Sequence, residues 1–193
     1  MSSSVLLMSV SVDGFIAGPN DVPGNPGGDG FMRLHEWYRT ADGDFGRPEG
    51  PAGDIWDELN ATGAVLVGRR TAEQVDYYGG EHHGVPLFVP THQPVPSAAA
   101  KYPSVTFVTD GIESAMAQAK AAAGDKDVLV HGAYTAQKAL EAGVLDELQL
   151  DQVPVLLGRG RRLFDILPAR IELDVVRVID TPLATHLRYR VRH

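Results

Sequence analysis

Two adjacent arginines follow a run of small and branched apolar residues in the segment GAVLVGRRT, residues 63–71. The apolar run predicts a buried strand, and the following TAEQVDYY predicts a helix whose first backbone N–H groups lack intrahelical partners. Glycine allows a ligand to approach the main chain, and guanidinium and N–H groups bind phosphate oxygens. We therefore predict an anion site that comprises Gly68, Arg69, Arg70 and Thr71; the alternative is a turn whose arginines face solvent.

Two other predicted strands end in groups that suit an anion. The segment HGAYTAQKAL (131–140) again runs from a strand through a glycine to a helix start, and LFVPTHQP (87–94) places two polar residues after a strand. The candidates are Gly132, Ala133, Tyr134, Thr135, Thr91 and His92. Ligands of open α/β sheets bind outside the carboxyl ends of the strands, so three such ends favour a dinucleotide over a single phosphate. The sequence lacks the G-x-G-x-x-G and G-x-x-x-x-G-K-[ST] fingerprints of the usual Rossmann and P-loop proteins.

Other chemistry has weaker support in the sequence. No G-x-S-x-G elbow is present, and the adjacent histidines of GGEHHG (79–84) lack regular ligand spacing, which favours an exposed turn and no metal. His131 either contacts a ligand or is a buried core histidine. Asp13, in SVDGFIAG, belongs to a turn that lies near the ligand if a lid begins there. Asp151, inside an apolar strand, either faces solvent or lines a pocket.

The elements that position these groups alternate between strands and helices. Apolar runs predict strands at 5–12, 64–68, 85–89, 105–109 and 127–132. Helices are predicted at 54–62, with Asp54 as its N-cap, and at 112–124 and 133–143, which end on glycine. Three further strands follow at 147–158, 171–180 and 185–193, and the last two form an antiparallel hairpin. We predict an α/β fold whose sheet of about eight strands is mostly parallel.

Residues 18–53 interrupt this alternation. After Gly18 they contain eight of the 21 glycines, together with five of the 13 prolines, and they enclose the aromatic stretch FMRLHEWYRT. Phe31, Leu34 and Trp37 have helical spacing within that stretch. A long loop inside a domain is usually functional or disordered, and the aromatic residues favour an ordered lid. The alternative is an insertion that packs its own small cluster. In either case we predict a single domain, residues 1–193.

Composition limits the compartment and the partners. The chain contains no cysteine, which excludes disulfides and thiolate metal sites and fits the cytoplasm. The N-terminus has no basic leader, and no apolar run is long enough for a membrane span. A formal net charge of −8 argues against a broad surface for nucleic acid or anionic lipid. We therefore predict a cytoplasmic protein that binds neither nucleic acid nor membranes.

Several motifs together resemble the dihydrofolate reductase superfamily. They are SVDGFIAGPND, GAVLVGRRT, VPTHQP, VLVHGAYTAQKALEAGVLDELQLDQVPVLLGRGRRLF and the final hairpin. They are most similar to the reductase domain of bacterial riboflavin-biosynthesis deaminase-reductases and to its stand-alone relatives. This resemblance implies a three-layer fold and the cofactor NADPH. It places residues 68–71 at the cofactor phosphates, Thr91 and His92 near the 2′-phosphate, and 131–135 at the pyrophosphate, with His131 where relatives often have glycine. Met8, Ser9, Ile16 and Ala17 would line the nicotinamide.

The resemblance also implies an activity, namely hydride transfer from NADPH to a small heterocyclic or sugar-derived substrate. A compound like 5-amino-6-(5-phosphoribosylamino)uracil is one such substrate. The substrate-side candidates are Asp13, Trp37, Trp56 and Asp151. The acidic residue of dihydrofolate reductases falls around 52–54, where the alignment is too loose to name a proton donor. The alternative is a non-catalytic module that binds a nucleotide or a flavin. A homodimer is expected because the antiparallel edge of the sheet would otherwise be open.

Overall fold

The computed structural model describes residues 2–40, 42–165 and 167–193. The strands are β1 (Ser4–Ser11), β2 (Phe15–Ala17), β3 (Ala64–Val67), β4 (Leu87–Pro90), β5 (Val105–Val108), β6 (Val128–His131), β7 (Glu147–Val153), β8 (Arg161–Arg162), β9 (Leu173–Asp180) and β10 (Thr185–Val191). The α-helices are α1 (Ala52–Asn60), α2 (Arg69–Gln74), α3 (Ile112–Ala123) and α4 (Ala133–Glu141). Short 3₁₀ helices cover Phe31–Tyr38, Asp76–Gly80 and Ser97–Lys101.

Eight strands form one sheet in the order β5-β4-β3-β6-β1-β7-β10-β9. Neighbours from β5 to β7 are parallel, whereas β10 is antiparallel to both β7 and β9. The β9–β10 hairpin therefore folds back so that its second strand, β10, pairs with β7. The predicted fold class, a mostly parallel sheet of eight strands with an antiparallel C-terminal hairpin, is confirmed. Strands β2 and β8 form a separate antiparallel pair.

Successive residues of β3 show why its apolar run is continuous. Ala64 and Leu66 belong to a core cluster with alanines of α3 and α4, whereas Val65 and Val67 belong to a cluster with Leu59 of α1 and Ala72 of α2. Successive side chains of a strand point to opposite faces, and helices cover both faces here. The result is three layers, with the sheet between two groups of helices.

Two helix starts differ from the sequence predictions. Helix α1 begins at Ala52 after Pro51, so Asp54 lies in its first turn and the N-cap prediction is wrong. A proline at the start of a helix supplies a suitable φ angle without the loss of a helical hydrogen bond. Helix α2 begins at Arg69 with Gly68 as its N-cap, two residues before the predicted start at Thr71.

Helix α2 is also shorter than predicted. It ends after six residues, and the backbone of Asp76, Tyr77 and Tyr78 then adopts positive φ angles of 44°, 54° and 53°. Positive φ angles end a right-handed helix and are uncommon for residues other than glycine. The turn buries Tyr77 against the β4 side of the sheet, in the cluster that contains Leu87 and Val89.

The 18–53 segment is ordered around its 3₁₀ helix. Leu34 and Trp37 are buried and form a third cluster with Ile55 of α1, Val153 of β7 and Ala184. The role of this segment as a lid stays a prediction. The homodimer also stays a prediction. The outermost strand, β9, exposes three valines: Val175, Val176 and Val178. Among the described residues, no helix has both the length and the apolar character needed to cross a membrane.

Candidate functional site

A cavity of about 1090 Å³ lies where β3, β4 and β6 end. All fifteen residues predicted for the cofactor line it, together with Trp37 and Trp56. They are Met8, Ser9, Ile16, Ala17, Gly68, Arg69, Arg70, Thr71, Thr91, His92, His131, Gly132, Ala133, Tyr134 and Thr135. The structure thus brings the three predicted strand ends to one space, with residues of β1 and β2 beside them.

Two glycines allow the starts of α2 and α4 to lie side by side. A Cβ atom on Gly68 would lie 2.6 Å from the Thr135 hydroxyl oxygen, and one on Gly132 would lie 3.1 Å from that of Thr71. Gly132 also has a φ of 95°, which favours glycine. No side chain from the described part of the chain caps α4. The first N–H groups of this nine-residue helix are therefore available to an anionic ligand at the cavity.

The two arginines of α2 point to different partners. Arg69 donates to Glu73 at 2.7 Å and to the Thr91 hydroxyl at 3.2 Å, so it links α2 to the end of β4. Arg70 Nη2 donates to the backbone carbonyl of Asp21 at 2.5 Å and to its carboxylate at 3.1 Å. Both guanidinium groups already interact with carboxylates, and an anionic ligand would compete with these acids.

Asp21 is a site residue that sequence reasoning missed. Its carboxylate accepts hydrogen bonds from the Gly27 N–H at 2.9 Å and from Gln74 at 2.7 Å, besides its ion pair with Arg70. Burial alone would raise its pKa, but these hydrogen bonds and the charges of Arg70 and Arg161 hold the pKa below its ordinary value. Asp21 thereby fastens the loop before the 3₁₀ helix to α2. No sequence signal marked it, since its partners are 49 and 53 residues away.

Ten aromatic rings line another part of the cavity, and we call them the aromatic wall. They are Phe31, His35, Trp37, Tyr38, Phe45, Trp56, Tyr78, His82, His83 and His131. Ring centroids are 5.4 Å apart between Tyr38 and Trp56, and 6.2 Å apart between Trp56 and His83. His82 lies 4.0 Å from His83 and 5.1 Å from His131. The rings thus form a continuous series from the 18–53 segment to the end of β6.

The prediction of an exposed turn at 79–84 is wrong for His82. Its ring is half-buried in the aromatic wall, because the left-handed turn before it directs the chain back toward the cavity. His131 belongs to the same group. It lines the cavity and is also half-buried beside the Tyr78 hydroxyl, and its contact with a ligand stays a prediction. In the part of the chain that the structure describes, no three histidine, cysteine or acidic side chains are grouped to hold a metal ion.

The histidines of the wall are uncharged near neutral pH. Burial, together with the nearby His131 and His83, lowers the pKa of His82 to about 2. Burial likewise lowers the pKa of His131 to about 4. The Tyr78 hydroxyl lies 3.4 Å from His131 Nδ1, and burial raises the pKa of Tyr78 to about 12. The wall therefore offers neutral hydrogen-bonding groups.

Asp13 does not reach the cavity, contrary to its selection as a substrate-side residue. Its carboxylate accepts hydrogen bonds from the Ser11 hydroxyl at 2.6 Å and from the backbone N–H groups of Leu157 and Gly158 at 3.1 and 2.7 Å. The Ser11 hydrogen bond, followed by those backbone bonds, lowers the pKa of Asp13 to about 2. Asp13 thus ties the turn after β1 to the loop after β7.

Asp151 neither faces solvent nor lines the cavity, so both predicted positions are wrong. It is fully buried because β7 lies between β1 and β10, and it contacts His186 Nδ1 at 2.7 Å. The His186 ring packs 4.8 Å from that of Trp37, whose indole N–H donates to the Ser9 hydroxyl at 2.9 Å. Asp151 therefore lies beneath the cavity lining.

Solved structures with the same fold come from several bacteria. A putative riboflavin biosynthesis protein from Shewanella sp. PV-4 has a TM-score of 0.73 at 20% identity, with 99% of both chains covered. A pyrimidine reductase-like protein from Corynebacterium diphtheriae has a TM-score of 0.63 at 13% identity, with 100% of this chain and 92% of that chain covered. These identities show the fold alone.

A longer protein contains the same fold as one part. It is the diaminohydroxyphosphoribosylaminopyrimidine deaminase/5-amino-6-(5-phosphoribosylamino)uracil reductase of Thermotoga maritima, with a TM-score of 0.61 at 14% identity. The match covers 99% of this chain and 57% of that protein. No curated protein matches the sequence.

The family resemblance that the motifs suggested is confirmed by a family model. The model of the RibD C-terminal domain matches residues 4–184, which include every strand up to the start of β10 and the whole lining of the cavity. The chain belongs to the family of the RibD C-terminal domain.

Proposed function

We propose that the protein is an oxidoreductase that uses NADPH to reduce a small heterocyclic substrate. Membership in the family of the RibD C-terminal domain supports a reductase related to riboflavin biosynthesis. One observation carries the proposal. Three strand ends that bear anion-binding groups line the same cavity as the apolar residues of β1 and β2. Such an arrangement suits a ligand with phosphates at one end and a flat ring at the other.

The cavity fits such a cofactor in shape and chemistry. Gly68 and Gly132 leave open backbone where a Cβ atom would crowd Thr135 and Thr71, and α4 presents uncapped N–H groups there. Its volume of about 1090 Å³ is at the upper end of the range for ligand pockets, roughly 300–1,000 Å³, which leaves room for a substrate beside the cofactor.

We assign different groups of cavity residues to different parts of NADPH. We assign Gly132 and 133–135 to the pyrophosphate, and residues 68–71 with Thr91 and His92 to the 2′-phosphate. Met8, Ser9, Ile16 and Ala17 would contact the nicotinamide. When bound, NADPH supplies the hydride. A cationic group near the ribose favours the 2′-phosphate of NADPH over the hydroxyl of NADH.

We propose that the protein itself orients the bound ligands and keeps water away from the substrate. The Trp37 indole N–H holds the Ser9 hydroxyl in place at 2.9 Å, and both residues line the cavity. The aromatic wall excludes water from the substrate side and provides flat surfaces for a ring. Among the described residues, Asp21 is the one carboxylate of the cavity lining, and Gly27, Gln74 and Arg70 hold it. We therefore assign catalysis to orientation and desolvation and name no proton donor.

Calorimetric titration with NADPH, NADH and FMN tests the proposal. Tight NADPH binding, weak NADH binding and loss of nicotinamide absorbance with 5-amino-6-(ribosylamino)uracil compounds are the expected results. Because no proton donor is assigned, a second candidate function stays open, namely a non-catalytic nucleotide- or flavin-binding module. Binding of FMN, or of NADPH without turnover of any imine or carbonyl substrate, would support that module and contradict the reductase.

A further inference from the structure

We infer that the substrate is an uncharged, planar ring compound without a phosphate group, and that it binds against the aromatic wall. This inference rests on the proposed function, because it takes the strand ends as the cofactor side. It also departs from the Thermotoga maritima relative, whose description includes a phosphoribosyl compound.

The geometry of the wall suits a flat ring. Tyr38 is in ring contact with four other members of the wall, at centroid distances of 4.6 Å to Trp37, 5.3 Å to Phe45, 5.4 Å to Trp56 and 5.5 Å to His35. These rings meet at tilted or edge-on angles, so several faces and edges surround the same space. Aromatic side chains bind planar rings by stacking or edge contact.

The cationic groups of the cavity lie on other elements than the wall. The described cations in its lining are Arg69, Arg70, Lys138 and Arg161. The first three lie on α2 or α4, which we assign to the cofactor. Each of the four has a carboxylate partner, at 2.7 Å for Arg69, 3.1 Å for Arg70, 2.6 Å for Lys138 and 3.6 Å for Arg161.

A phosphate against the wall would find no cation on the same elements. Among the described residues, the 31–45 segment, α1, the 78–83 turn and β6 contribute no lysine or arginine to the cavity lining. A phosphate carries up to two negative charges, and proteins bind it with arginine, lysine or helix N-termini. Its transfer from water to an uncharged aromatic site is strongly unfavourable. The wall therefore selects against phosphorylated substrates.

The polar atoms of the wall match an uncharged heterocycle. His82 Nδ1 is buried and has no hydrogen-bond partner among the described residues. A buried polar nitrogen without a partner is unfavourable, and a ligand that supplies a donor or acceptor relieves this cost. The Tyr78 hydroxyl and His131 Nδ1, 3.4 Å apart, lie beside the same ring. Neutral imidazole and phenol groups pair with the N–H and C=O edges of pyrimidine-type rings.

Intrinsic fluorescence gives a direct measurement of binding at the wall. The chain has two tryptophans, Trp37 and Trp56, and both belong to the wall. We would titrate the protein, with and without NADPH, with 5-amino-6-(ribosylamino)uracil and with its 5′-phosphate. A second matched pair is 7,8-dihydrobiopterin, which is uncharged, and 7,8-dihydrofolate, which carries a glutamate tail. Trp56→Phe identifies the part of the quenching that arises at Trp56.

The uncharged member of each pair is expected to quench with a dissociation constant at least threefold lower than that of its anionic counterpart. A cation placed on the wall should reverse this preference, so His83→Arg is expected to improve binding of the 5′-phosphate about tenfold. Val176→Arg introduces the same residue on the exposed face of β9, outside the cavity, and should leave the preference unchanged.

Two outcomes would overturn the inference. One is equal or tighter binding of the phosphorylated compound by the unmodified protein, and the other is the absence of quenching by every ring compound. The titration without NADPH separates this inference from the proposed function. If NADPH fails to bind in calorimetry while the uncharged ring compounds quench the tryptophan fluorescence, the reductase proposal is contradicted, but the inferred class of ligand is supported. If NADPH binds and the phosphate is preferred, only the ligand class fails.

Discussion

Arg70 and Asp21 form an ion pair between two parts of the cavity lining that are 49 residues apart in the chain. The Arg70 side chain is 54% exposed, whereas that of Asp21 is 11% exposed and held by three further groups. The more mobile partner is therefore the guanidinium, which we assign to a cofactor phosphate. Binding of NADPH would exchange one negative partner of Arg70 for another.

Asp21→Asn is expected to tighten NADPH binding about two- to fivefold. The asparagine keeps the size of the side chain and one acceptor oxygen, which can still receive the Gly27 N–H and Gln74, but it no longer competes as a charge for Arg70. A partly exposed ion pair contributes about 0.2–1 kcal/mol, which sets the size of the effect. Calorimetry with NADPH measures it. Asp57→Asn is the control, since Asp57 pairs with Arg47 outside the cavity. Weaker binding by Asp21→Asn would mean that Asp21 positions Arg70 for the cofactor.

Arg70→Ala is expected to weaken NADPH binding by about 1.5–3 kcal/mol, the usual contribution of a hydrogen bond to a charged group. The affinity for NADH should change much less, because NADH lacks the 2′-phosphate. Parallel titrations with the two nucleotides measure the difference, and Arg47→Ala gives the effect of removing an arginine outside the cavity. Equal losses for NADPH and NADH would contradict a contact between Arg70 and the 2′-phosphate.

Gly68→Ala is expected to destabilise the protein by about 1–3 kcal/mol through overpacking. The backbone angles of Gly68, φ −64° and ψ 141°, suit any residue, so the effect comes from the new Cβ, 2.6 Å from the Thr135 hydroxyl oxygen. Thr135→Ala removes that oxygen, and the next atom lies 3.9 Å away. The double variant should therefore recover most of the stability in urea unfolding. A double variant no more stable than Gly68→Ala would contradict this steric account.

The parts of the fold that depend on local chemistry could be predicted from the sequence. Strand β3 has apolar residues at every position because both of its faces are covered, and this pattern is visible in the sequence. The glycines after α3 and in the loop after α4 marked the helix ends, and Gly124 and Gly143 indeed have positive φ angles. Gly68 and Gly132 indicated the cavity because glycine lets a ligand approach the main chain, and in the fold a Cβ at either position would crowd a threonine hydroxyl.

Long-range pairings could not be predicted in the same way. The aromatic wall is assembled from the 31–45 segment, α1, the 78–83 turn and the end of β6, and the spacing of these rings along the chain carries no periodic signal. The position of Asp151 also depends on a long-range pairing. Alternation in β7 suggested a solvent-facing or pocket-facing carboxylate, but the insertion of β10 beside β7 buries that position and supplies His186 as its partner.

Asp151→Ala is expected to destabilise the folded protein by about 1–3 kcal/mol, because it leaves the buried His186 Nδ1 without its hydrogen-bond partner. Asp174→Ala removes an exposed carboxylate paired with Arg192 and should have a much smaller effect. Urea unfolding measures both. The NADPH affinity of the folded fraction should stay unchanged, since Asp151 does not line the cavity. Normal stability with lost turnover would instead assign Asp151 a role in the reaction.

The stability of the protein is expected to fall as the pH decreases below about 6.5, the ordinary pKa of histidine. In the folded protein, burial lowers the pKa of His131 to about 4 and that of His82 to about 2. The unfolded chain therefore takes up these protons first, and acid favours unfolding over the range from about 6.5 to 4 for His131 and to still lower pH for His82. Each histidine contributes a slope of at most about 1.4 kcal/mol per pH unit.

His82→Gln should make this pH dependence shallower, because it removes one group that binds a proton only in the unfolded chain over this range. Urea unfolding at pH 7.5, 6.5, 5.5 and 4.5 measures the slope for both proteins, and the difference between them cancels the titration of the carboxylates. His193→Gln, at the exposed C-terminus, is the matched control. Equal slopes for His82→Gln and the unmodified protein would mean that the His82 ring is protonated as easily in the folded state as in water. The aromatic wall would then carry a charge in mild acid, and its preference for uncharged rings should weaken there.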